Sequence, residues 1–369
     1  MPSRVLVVRL SALGDILHTI PALTTLRRHL PSAHLAWLVE DAGAGLLEGH
    51  SDLTELHVIP RQQWARLRRS GQRWAAVREF IACLRQIRSL RFDLVIDFQG
   101  LAKSGFWISQ VNCPRKAGFG PGLPRNEGAW LALNERIQPP SSEVHALDRN
   151  LRLLECLGYP RLPIRYHLPA PAAADLEAAS LLHEVDLENG TRFVAINPMT
   201  RWPTKNWTPE LFAATADLLV ASGLPVVFTG APGDRGSIDA ITQRMQQRAR
   251  RLDGRTSLPT LSAIYRRAAV LLSTDTGPMH LAAAVETPVV ALFGPTAPWR
   301  TGPHGNGHRV LRLELPCSPC FKKTCLATEV EAHACLRRLD PREVARVVHE
   351  VVARLDASTP PAEIRPPAS

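Results

Sequence analysis

The stretch LLSTDTGPMHLAAA, residues 271–284, predicts a buried strand that runs directly into a helix. Asp275 and Thr276 break the apolar run. Gly277 permits close backbone approach, and Pro278 suits the first turn of a helix. The free N–H groups and the positive end of the dipole at such a helix start attract phosphate groups. An ordinary helix cap is the alternative interpretation of these residues.

Strands and helices alternate on both sides of this stretch, which predicts an α/β protein. VVALFGPT at 289–296 is a second buried strand, and RVLVVRL at 4–10 is typical of the first strand of a parallel sheet. The following segment, 11–30, has helical periodicity. Asp15 therefore lies just past the C-terminal end of the first strand, where ligands and catalytic groups gather in open α/β sheets. A carboxylate that only complements the helix dipole is the alternative.

The length of 369 residues fits two α/β domains of ordinary size. The pattern predicts further strands at 34–41, 55–60, 92–100 and 192–200. Between them lie an irregular loop at 101–143 and a helix at 145–158. A proline-rich domain linker follows at 159–174. The predicted organisation has four parts: an N-terminal domain at 1–165, a C-terminal domain at 175–340, a C-terminal helix at 341–356 that could pack back on the N-terminal domain, and a disordered tail at 357–369.

The charge of the chain indicates an acidic partner. The formal net charge is +10, and nine arginines lie between residues 61 and 91 with Trp64 and Trp74 among them. Nucleic acid, an anionic membrane surface or an acidic substrate would each be attracted by this positive charge. A solvated basic helix face is the alternative interpretation.

The apolar runs and the cysteines bear on the cellular location. No run reaches the length of about 18 residues that a membrane span needs, and a strand follows Met1 almost at once, so we expect a cytosolic protein. Four of the seven cysteines fall within 19 residues beside His333: Cys317, Cys320, Cys325 and Cys335. The first pair has the C-x2-C spacing of zinc ligands, but the second does not. The sequence leaves open whether these thiols bind a metal or are ordinary loop cysteines.

Two common nucleotide-binding classes are disfavoured by missing motifs. Neither SALGD at 11–15 nor TGAPGD at 229–234 is the G-x-G-x-x-G fingerprint of nicotinamide dehydrogenases. The chain also lacks the G-x-x-x-x-G-K-[ST] loop of P-loop kinases and ATPases. Two α/β halves without either fingerprint indicate an enzyme that uses a nucleotide-linked donor.

Five motifs of this chain occur together in one family: SALGDILHTIPAL at 11–23, DFQGLAKS at 97–104, the TKNW loop at 204–207, DTGPMHLAAA at 275–284 and LFGPT at 292–296. In these motifs the chain resembles the ADP-heptose:lipopolysaccharide heptosyltransferases of glycosyltransferase family 9. The similarity covers about residues 4–355 and is strongest to the heptosyltransferase I group, which adds the first heptose to 3-deoxy-D-manno-octulosonic acid (Kdo). The segment CSPCFKKTC, 317–325, is more similar to other members of the family.

The resemblance implies a GT-B fold, in which two Rossmann-like domains face a central cleft, with the acceptor bound by the N-terminal domain and the ADP-sugar by the C-terminal domain. It implies that Asp15 is the general base and that Lys205 contacts the diphosphate and assists catalysis. The remaining donor-binding residues are predicted to be Thr200, Asp275, Thr276, Gly277 and His280. The predicted acceptor-binding residues are Lys103, His145 and Arg149, together with four arginines in a loop-like segment before Gly71: Arg61, Arg66, Arg68 and Arg69.

The predicted activity is inverting transfer of L-glycero-D-manno-heptose from ADP-heptose to the Kdo of lipid A-linked lipopolysaccharide. We expect no cofactor and no metal, because Lys205 and the helix start at Gly277 can stabilise the leaving diphosphate. The expected partners are ADP-heptose, Kdo-lipid A and the cytoplasmic face of the inner membrane, without nucleic acid. The alternatives are transfer of a later heptose, a non-catalytic nucleotide- or lipopolysaccharide-binding relative, a sugar-nucleotide epimerase and a nucleic-acid binder.

Overall fold

The chain forms two compact units in a computed structural model that describes residues 1–122, 127–328 and 330–358. The first unit comprises Met1–Asp175, Ser257–Ser262 and Trp299–Gly302. The second comprises Leu176–Thr256, Ala263–Pro298 and the described residues from Pro303 onward. Residues 159–171, in the segment predicted as the linker, carry no helix or strand.

The first unit is built on a parallel six-stranded sheet with the order β3-β2-β1-β4-β5-β6. Its strands, β1 to β6, are Arg4–Val8, His34–Glu40, Glu55–Ile59, Leu94–Asp97, Arg115–Phe119 and Glu135–Ile137. Its helices, α1 to α7, are Leu13–Leu17, Ile20–His29, Asp41–Ala44, Arg61–Arg69, Arg73–Ser89, Ala102–Gln110 and Ala146–Cys156.

The second unit repeats this plan with the order β9-β8-β7-β10-β11-β12, again all parallel. These strands, β7 to β12, are Val194–Asn197, Val226–Phe228, Arg250–Arg251, Val270–Thr274, Val289–Phe293 and Arg309–Arg312. The remaining helices, α8 to α15, are Ala172–Glu184, Pro209–Ala221, Arg235–Thr242, Leu258–Arg267, Gly277–Ala284, Pro298–Thr301, Ala334–Arg337 and Pro341–Ser358.

Both sheets have the strand order of a Rossmann-like domain, and this order decides where each site lies. The order reverses between β1 and β4 in the first unit and between β7 and β10 in the second. Ligands of open α/β sheets bind outside the carboxyl ends of the strands at this reversal. Val8 pairs with Asp97, and Ser273 pairs with Asn197, so the segments that follow these strands emerge side by side.

The central strands are fully buried because helices cover both faces of a parallel sheet. Val5, Leu6, Val7 and Val8 of β1 are inaccessible to solvent. Burial of each such side chain contributes about 1.5–3 kcal/mol, so β1 is a rigid platform for the loop that carries Asp15. Within the described residues, no helix is long and apolar enough to cross a membrane.

One expectation about chain organisation was wrong. The segment 101–143, predicted as an irregular loop, contains α6, β5 and β6. The C-terminal helix, α15, packs on α9, β10, β11 and β12, and its Val344, Val348 and Val351 join the second unit's core. This helix also continues to Ser358, past the predicted start of the tail. The rest of the predicted tail, 359–369, lies outside the described residues.

Candidate active site

The predicted general base, Asp15, lies in α1 directly after β1. Nη2 of Arg9, the first residue after this strand, lies 2.7 Å from Oδ1 of Asp15. The other carboxylate oxygen accepts the N–H of Ala12 at 3.2 Å. Arg9 is buried and also donates through Nη1 to the carbonyl oxygen of Phe98. The Asp15 carboxylate is therefore held in position, although 42% of its side chain stays exposed and accessible to a substrate.

The surroundings of Asp15 keep it ionised. Burial raises the pKa of this carboxyl, but the Arg9 charge, the Ala12 N–H and the Arg149 charge together outweigh burial and hold the pKa below its ordinary value. Asp15 is therefore a carboxylate at neutral pH. A base of such low basicity is suited to a proton transfer that occurs late, when the attacking hydroxyl has become strongly acidic.

A buried carboxylate, Glu40 at the end of β2, draws two predicted acceptor-binding cations together. Nζ of Lys103 donates to Glu40 Oε1 at 2.8 Å and to Ser11 Oγ at 2.5 Å. Nη1 of Arg61 donates to Glu40 Oε2 at 3.2 Å. Lys103 is therefore tied to the loop that precedes Asp15. Both cations keep further N–H donors that an anionic ligand can use.

Asp97, at the end of β4, shapes the turn beside this cluster. Its Oδ1 accepts the N–H groups of Gln99 and Gly100 at 2.9 and 3.2 Å, and its Oδ2 accepts the Ser104 hydroxyl at 3.0 Å. Gly100 has a φ of 70°, in the left-handed region that favours glycine. Oε1 of Gln99 in turn accepts the backbone N–H groups of Leu10 and Ser11. The turn after β4 thus supports the loop after β1.

We expect the Asp97 carboxyl to make folding stability depend on pH. Burial raises the pKa of Asp97 to about 6 against hydrogen bonds from Gln99, Gly100 and Ser104 that lower it. The folded state thus binds this proton more tightly than the unfolded state, so stability from this group is present below pH 3.8 and is lost as the pH rises through about 6. The full loss is about 3 kcal/mol, from a shift of about two pKa units.

The measurement is the free energy of unfolding in denaturant at several pH values for the wild type and Asp97→Asn. All other groups titrate in both proteins, so the difference between them isolates Asp97. We expect Asp97→Asn to gain stability relative to the wild type as the pH rises from 4 to about 7. A difference that does not change with pH would contradict the raised pKa.

His145 and Arg149 lie on α7, as predicted, but they differ in their surroundings. Nδ1 of His145 accepts the Leu147 N–H at 3.3 Å and caps the helix, and its Nε2 lies 3.1 Å from the carbonyl oxygen of Gly302. Arg149 is close enough to Asp15 that its charge lowers the pKa of that carboxyl. Burial and the Arg9 charge lower the pKa of Arg149 itself. Arg149 therefore joins the Asp15 site, whereas His145 is engaged in structural contacts.

The four arginines predicted to lie in a loop instead belong to a helix, α4, which begins at Arg61. A loop was predicted from the concentration of arginines before Gly71, whereas the segment is a helix that buries no side chain fully. Arg61 contacts Glu40 as described, while Arg68 and Arg69 line an open groove between α4 and α5. Arg66 is exposed. Only Arg61 among the four is therefore tied to the cluster around Asp15 and Lys103.

The second cluster of predicted residues lies at the strand reversal of the second unit. Asp275, which follows β10, accepts hydrogen bonds at Oδ2 from Lys205 Nζ and from Thr296 Oγ1, each at 2.6 Å. Asp275 is buried, and the Lys205 side chain is 16% exposed. Nζ of Lys205 also lies 4.7 Å from the ring centroid of Trp202. Lys205 is thus oriented from two sides and keeps donors for an anion.

The start of α12 lies next to this ion pair. Thr276 precedes the helix, and Gly277 and Pro278 form its first residues. These three residues are partly exposed, so the helix N-terminus is accessible, as a phosphate-binding role requires. His280 lies in the same helix and is buried. Thr276, Gly277 and Lys205 can therefore meet one anionic group.

Thr200 makes hydrogen bonds within the loop that leads to Lys205. Its hydroxyl donates to the carbonyl oxygen of Trp202 and accepts the Trp202 N–H, both at 3.0 Å. Its own N–H donates to Asn206 Oδ1 at 2.9 Å. Thr200 therefore shapes the loop that presents Lys205. The loop also contacts the segment 317–325, which contains three of the clustered cysteines, because Thr204 Oγ1 donates to the carbonyl oxygen of Lys322 at 2.7 Å.

The four clustered cysteines are free thiols. Burial and, to a smaller extent, the charge of the other three thiols raise the pKa of Cys335 to about 11. In the described ranges, no group of three or more histidine, cysteine or carboxylate side chains is arranged to hold a metal ion. The expectation that catalysis needs no metal stays a prediction.

Several residues of both clusters were missed from the sequence: Arg9, Glu40, Asp97, Gln99 and Thr296. Each lies within three residues of the carboxyl end of a strand. A search for polar residues at that position on every predicted strand would have found them.

The chain has two Rossmann-like units and lacks a dinucleotide fingerprint. One unit has a carboxylate at its strand reversal, and the other has a lysine beside a helix start. These features together indicate a glycosyltransferase of the GT-B fold. The sequence model of glycosyltransferase family 9 (heptosyltransferase) matches residues 80–331. This match covers more than half of the chain, and the chain belongs to that family.

Individual relatives agree with the family assignment. Lipopolysaccharide heptosyltransferase 1 of Pseudomonas aeruginosa is 29% identical over 357 residues, covering 93% of this chain and 96% of that protein. Lipopolysaccharide heptosyltransferase 3 of Escherichia coli is 26% identical and covers 77% of this chain and 80% of its own length. The solved structure of the E. coli heptosyltransferase WaaC with ADP is similar with a TM-score of 0.73 and 24% identity, covering 94% of this chain and 99% of that one.

Proposed function

We propose that the chain transfers L-glycero-D-manno-heptose, with inversion, from ADP-heptose to the Kdo residue of a lipid A-linked acceptor. The observation that carries the proposal is the Asp15 carboxylate, which Arg9 and Ala12 hold in position while its side chain stays partly exposed. The match to heptosyltransferase 1 covers more of the chain than the match to heptosyltransferase 3, which supports the first heptose step. The ADP in the WaaC structure supports adenosine diphosphate as the nucleotide of the donor.

In the proposed reaction, an acceptor hydroxyl oxygen forms a bond to the anomeric carbon while the bond from that carbon to the diphosphate oxygen breaks. The hydroxyl proton passes to Asp15 and then to solvent. The leaving diphosphate gains negative charge, which Lys205 and the N–H groups at the start of α12 stabilise. Protein groups thus supply both the base and the charge stabilisation in this mechanism.

The acceptor presents carboxylate and phosphate groups, and the proposed contacts are cations of the first unit. Lys103 and Arg61 lie on Glu40 beside the loop of Asp15, and Arg149 acts on Asp15 through its charge. Arg68 and Arg69 are proposed to extend this basic surface along α4. His145 is proposed to hold the start of α7 and thereby position Arg149.

The test is incubation of the purified protein with ADP-heptose and Kdo-lipid A, followed by mass spectrometry of the lipid product. A parallel reaction uses an acceptor that already carries the first heptose. Addition of one heptosyl unit to the first acceptor alone supports the proposal. Addition to the second acceptor alone would assign a later step, and donor binding without either product would indicate a non-catalytic relative.

Replacement of two arginines of α4 should affect the acceptor and spare the donor. We expect Arg68→Gln with Arg69→Gln to raise the acceptor KM several-fold, because each charge contributes on the order of 1 kcal/mol at a partly solvated anionic contact. The acceptor KM of the variant should also depend less on salt than that of the wild type. The measurement uses a deacylated, water-soluble Kdo acceptor, so that membrane binding does not enter.

The matched control is Arg342→Gln, which removes an exposed arginine from the second unit. It should leave the acceptor KM unchanged. Equal acceptor kinetics in the α4 variant and the wild type would show that Arg68 and Arg69 form only a solvated face.

A further inference from the structure

The helix α5 exposes an apolar stripe that the proposed chemistry does not use. Trp74, Val77 and Ile81 of α5 are 86%, 47% and 39% exposed. Their spacing of three and four residues places them on one face of the helix. Phe106 of α6, which packs on α5, is 44% exposed and stacks with Phe80 at a centroid distance of 6.3 Å. Large apolar side chains clustered in this way mark a binding surface.

An open groove of about 830 Å³ lies between α4 and α5 beside the stripe. Its walls combine apolar and cationic side chains: Trp64, Ala65, Arg68, Arg69, Arg73, Ala76, Val77 and Phe80. The indole N–H of Trp64 is buried and has no acceptor among the described residues. The groove therefore suits a ligand with an apolar chain and an anionic, hydrogen-bond-accepting head.

The charged residues around the stripe are almost all positive. Residues 61–91 contain nine arginines and a single acidic residue, Glu79. Arg61 contacts Glu40, and Arg88 donates to Gln110. The other arginines of α4 and α5 have no carboxylate partner in the described part of the chain: Arg66, Arg68, Arg69, Arg73, Arg78 and Arg85. A surface that is both apolar and uniformly cationic has the composition of an interfacial membrane-binding helix.

We propose that the outer face of α4 and α5 docks on an anionic phospholipid bilayer. Trp74, Val77 and Ile81 enter the boundary between headgroups and acyl chains, where tryptophan is favoured, and the arginines meet lipid phosphates. The proposal rests on the proposed function, because a lipid-linked acceptor is presented at a membrane. It adds the surface that holds the enzyme there.

The charge and the apolar stripe together disfavour two other occupants. A second copy of the chain would place its own arginines of residues 61–91 against those of the first, and like charges repel across an interface. Nucleic acid would meet the arginines, but it offers no apolar phase for Val77 and Ile81.

Vesicle flotation of the full chain tests the docking. We expect binding to phosphatidylcholine vesicles that contain phosphatidylglycerol, and at least about tenfold weaker binding to pure phosphatidylcholine. Trp74→Ser with Ile81→Ser should weaken binding to the anionic vesicles by about tenfold or more. The matched control is Leu176→Ser, which replaces a leucine of the second unit that is 74% exposed, and it should bind like the wild type.

A second measurement locates Trp74 itself. Phospholipids with brominated acyl chains quench tryptophans that reach the bilayer. We expect quenching in the wild type and its loss in Trp74→Phe, which should keep most of the vesicle binding because phenylalanine is also apolar. Equal quenching in both proteins would overturn the placement of Trp74 in the membrane.

Turnover on a deacylated Kdo acceptor separates the docking from the proposed function. The Trp74→Ser and Ile81→Ser variant should keep the wild-type kcat and KM on this soluble acceptor. Vesicle binding without any turnover would leave the docking in place and reject the proposed function. Turnover without binding to anionic vesicles would reject the docking alone. The docking would also be overturned if the Trp74→Ser and Ile81→Ser variant bound vesicles like the wild type. It would likewise be overturned if this variant differed from the wild type only in its oligomeric state or its affinity for DNA.

Discussion

Asp15→Asn should lower kcat by about 10²–10⁴, the range that a general base contributes. The substitution removes the proton acceptor and keeps the shape of the side chain, and Asn Oδ1 can still accept from Arg9. The binding of ADP-heptose should change little, because Asp15 belongs to the first unit and the proposed diphosphate contacts belong to the second. Steady-state turnover together with calorimetric titration of the donor measures both effects.

The pH dependence of the wild type provides a second test of the same role. The pKa of Asp15 lies below its ordinary value, so Asp15 ionises at lower pH in the folded protein than in the unfolded chain. The acidic limb of kcat/KM should therefore fall below the ordinary range of a free aspartate, with the rate lost as the pH decreases.

The control for this assignment is Asp93→Asn, which replaces a carboxylate of the same unit that contacts Ser3 and Arg4. It should keep wild-type turnover. Near-normal turnover in Asp15→Asn, or donor binding lost in parallel with kcat, would contradict the general-base role.

The sequence predicted the strands that carry both clusters because these strands are buried in the middle of parallel sheets. Such strands form continuous apolar runs, as in RVLVVRL and VVALFGPT, and their ends are marked by polar residues and glycine. The sequence therefore placed Asp15 and Asp275 correctly after β1 and β10. Edge strands were harder to find, since β6 has only three residues and none of them is fully buried.

The partners of the site residues could not be predicted from local patterns. Lys103 and Glu40 are 63 residues apart, and Lys205 and Asp275 are 70 apart. Only the strand order brings these pairs together. The raised pKa of Asp97 is likewise a consequence of burial, which a carboxylate at the end of a strand does not reveal by itself.

The salt bridge between Lys205 and Asp275 also changes what the loss of Lys205 means. The family resemblance implied that Lys205 contacts the diphosphate, and the structure adds that Lys205 also neutralises a buried carboxylate. Its removal deletes one positive charge and leaves the Thr296 hydroxyl donating to the Asp275 carboxylate. An uncompensated carboxylate at this position would repel the diphosphate, so two effects weaken donor binding in the same direction.

Lys205→Ala should therefore weaken ADP-heptose binding and slow transfer together, by roughly 10- to 100-fold in the donor dissociation constant. That range corresponds to about 1.5–3 kcal/mol, the contribution of a hydrogen bond to a charged group. Lys205→Met keeps the volume of the side chain and should show the same loss. Thermal unfolding of each variant checks that the fold is retained before the donor is titrated.

The double variant Lys205→Ala with Asp275→Asn separates the two effects. If the bare Asp275 carboxylate repels the diphosphate, its neutralisation should restore part of the donor affinity that Lys205→Ala loses, and the double-mutant cycle gives the coupling. Lys323→Ala is the matched control, because Lys323 Nζ lies 5.5 Å from the centroid of the same Trp202 ring but outside the ion pair. It should leave donor affinity within a factor of about 2 of the wild type, as expected for an exposed charge. An unchanged donor dissociation constant in Lys205→Ala would remove Lys205 from the diphosphate site and leave it with the structural role of neutralising Asp275.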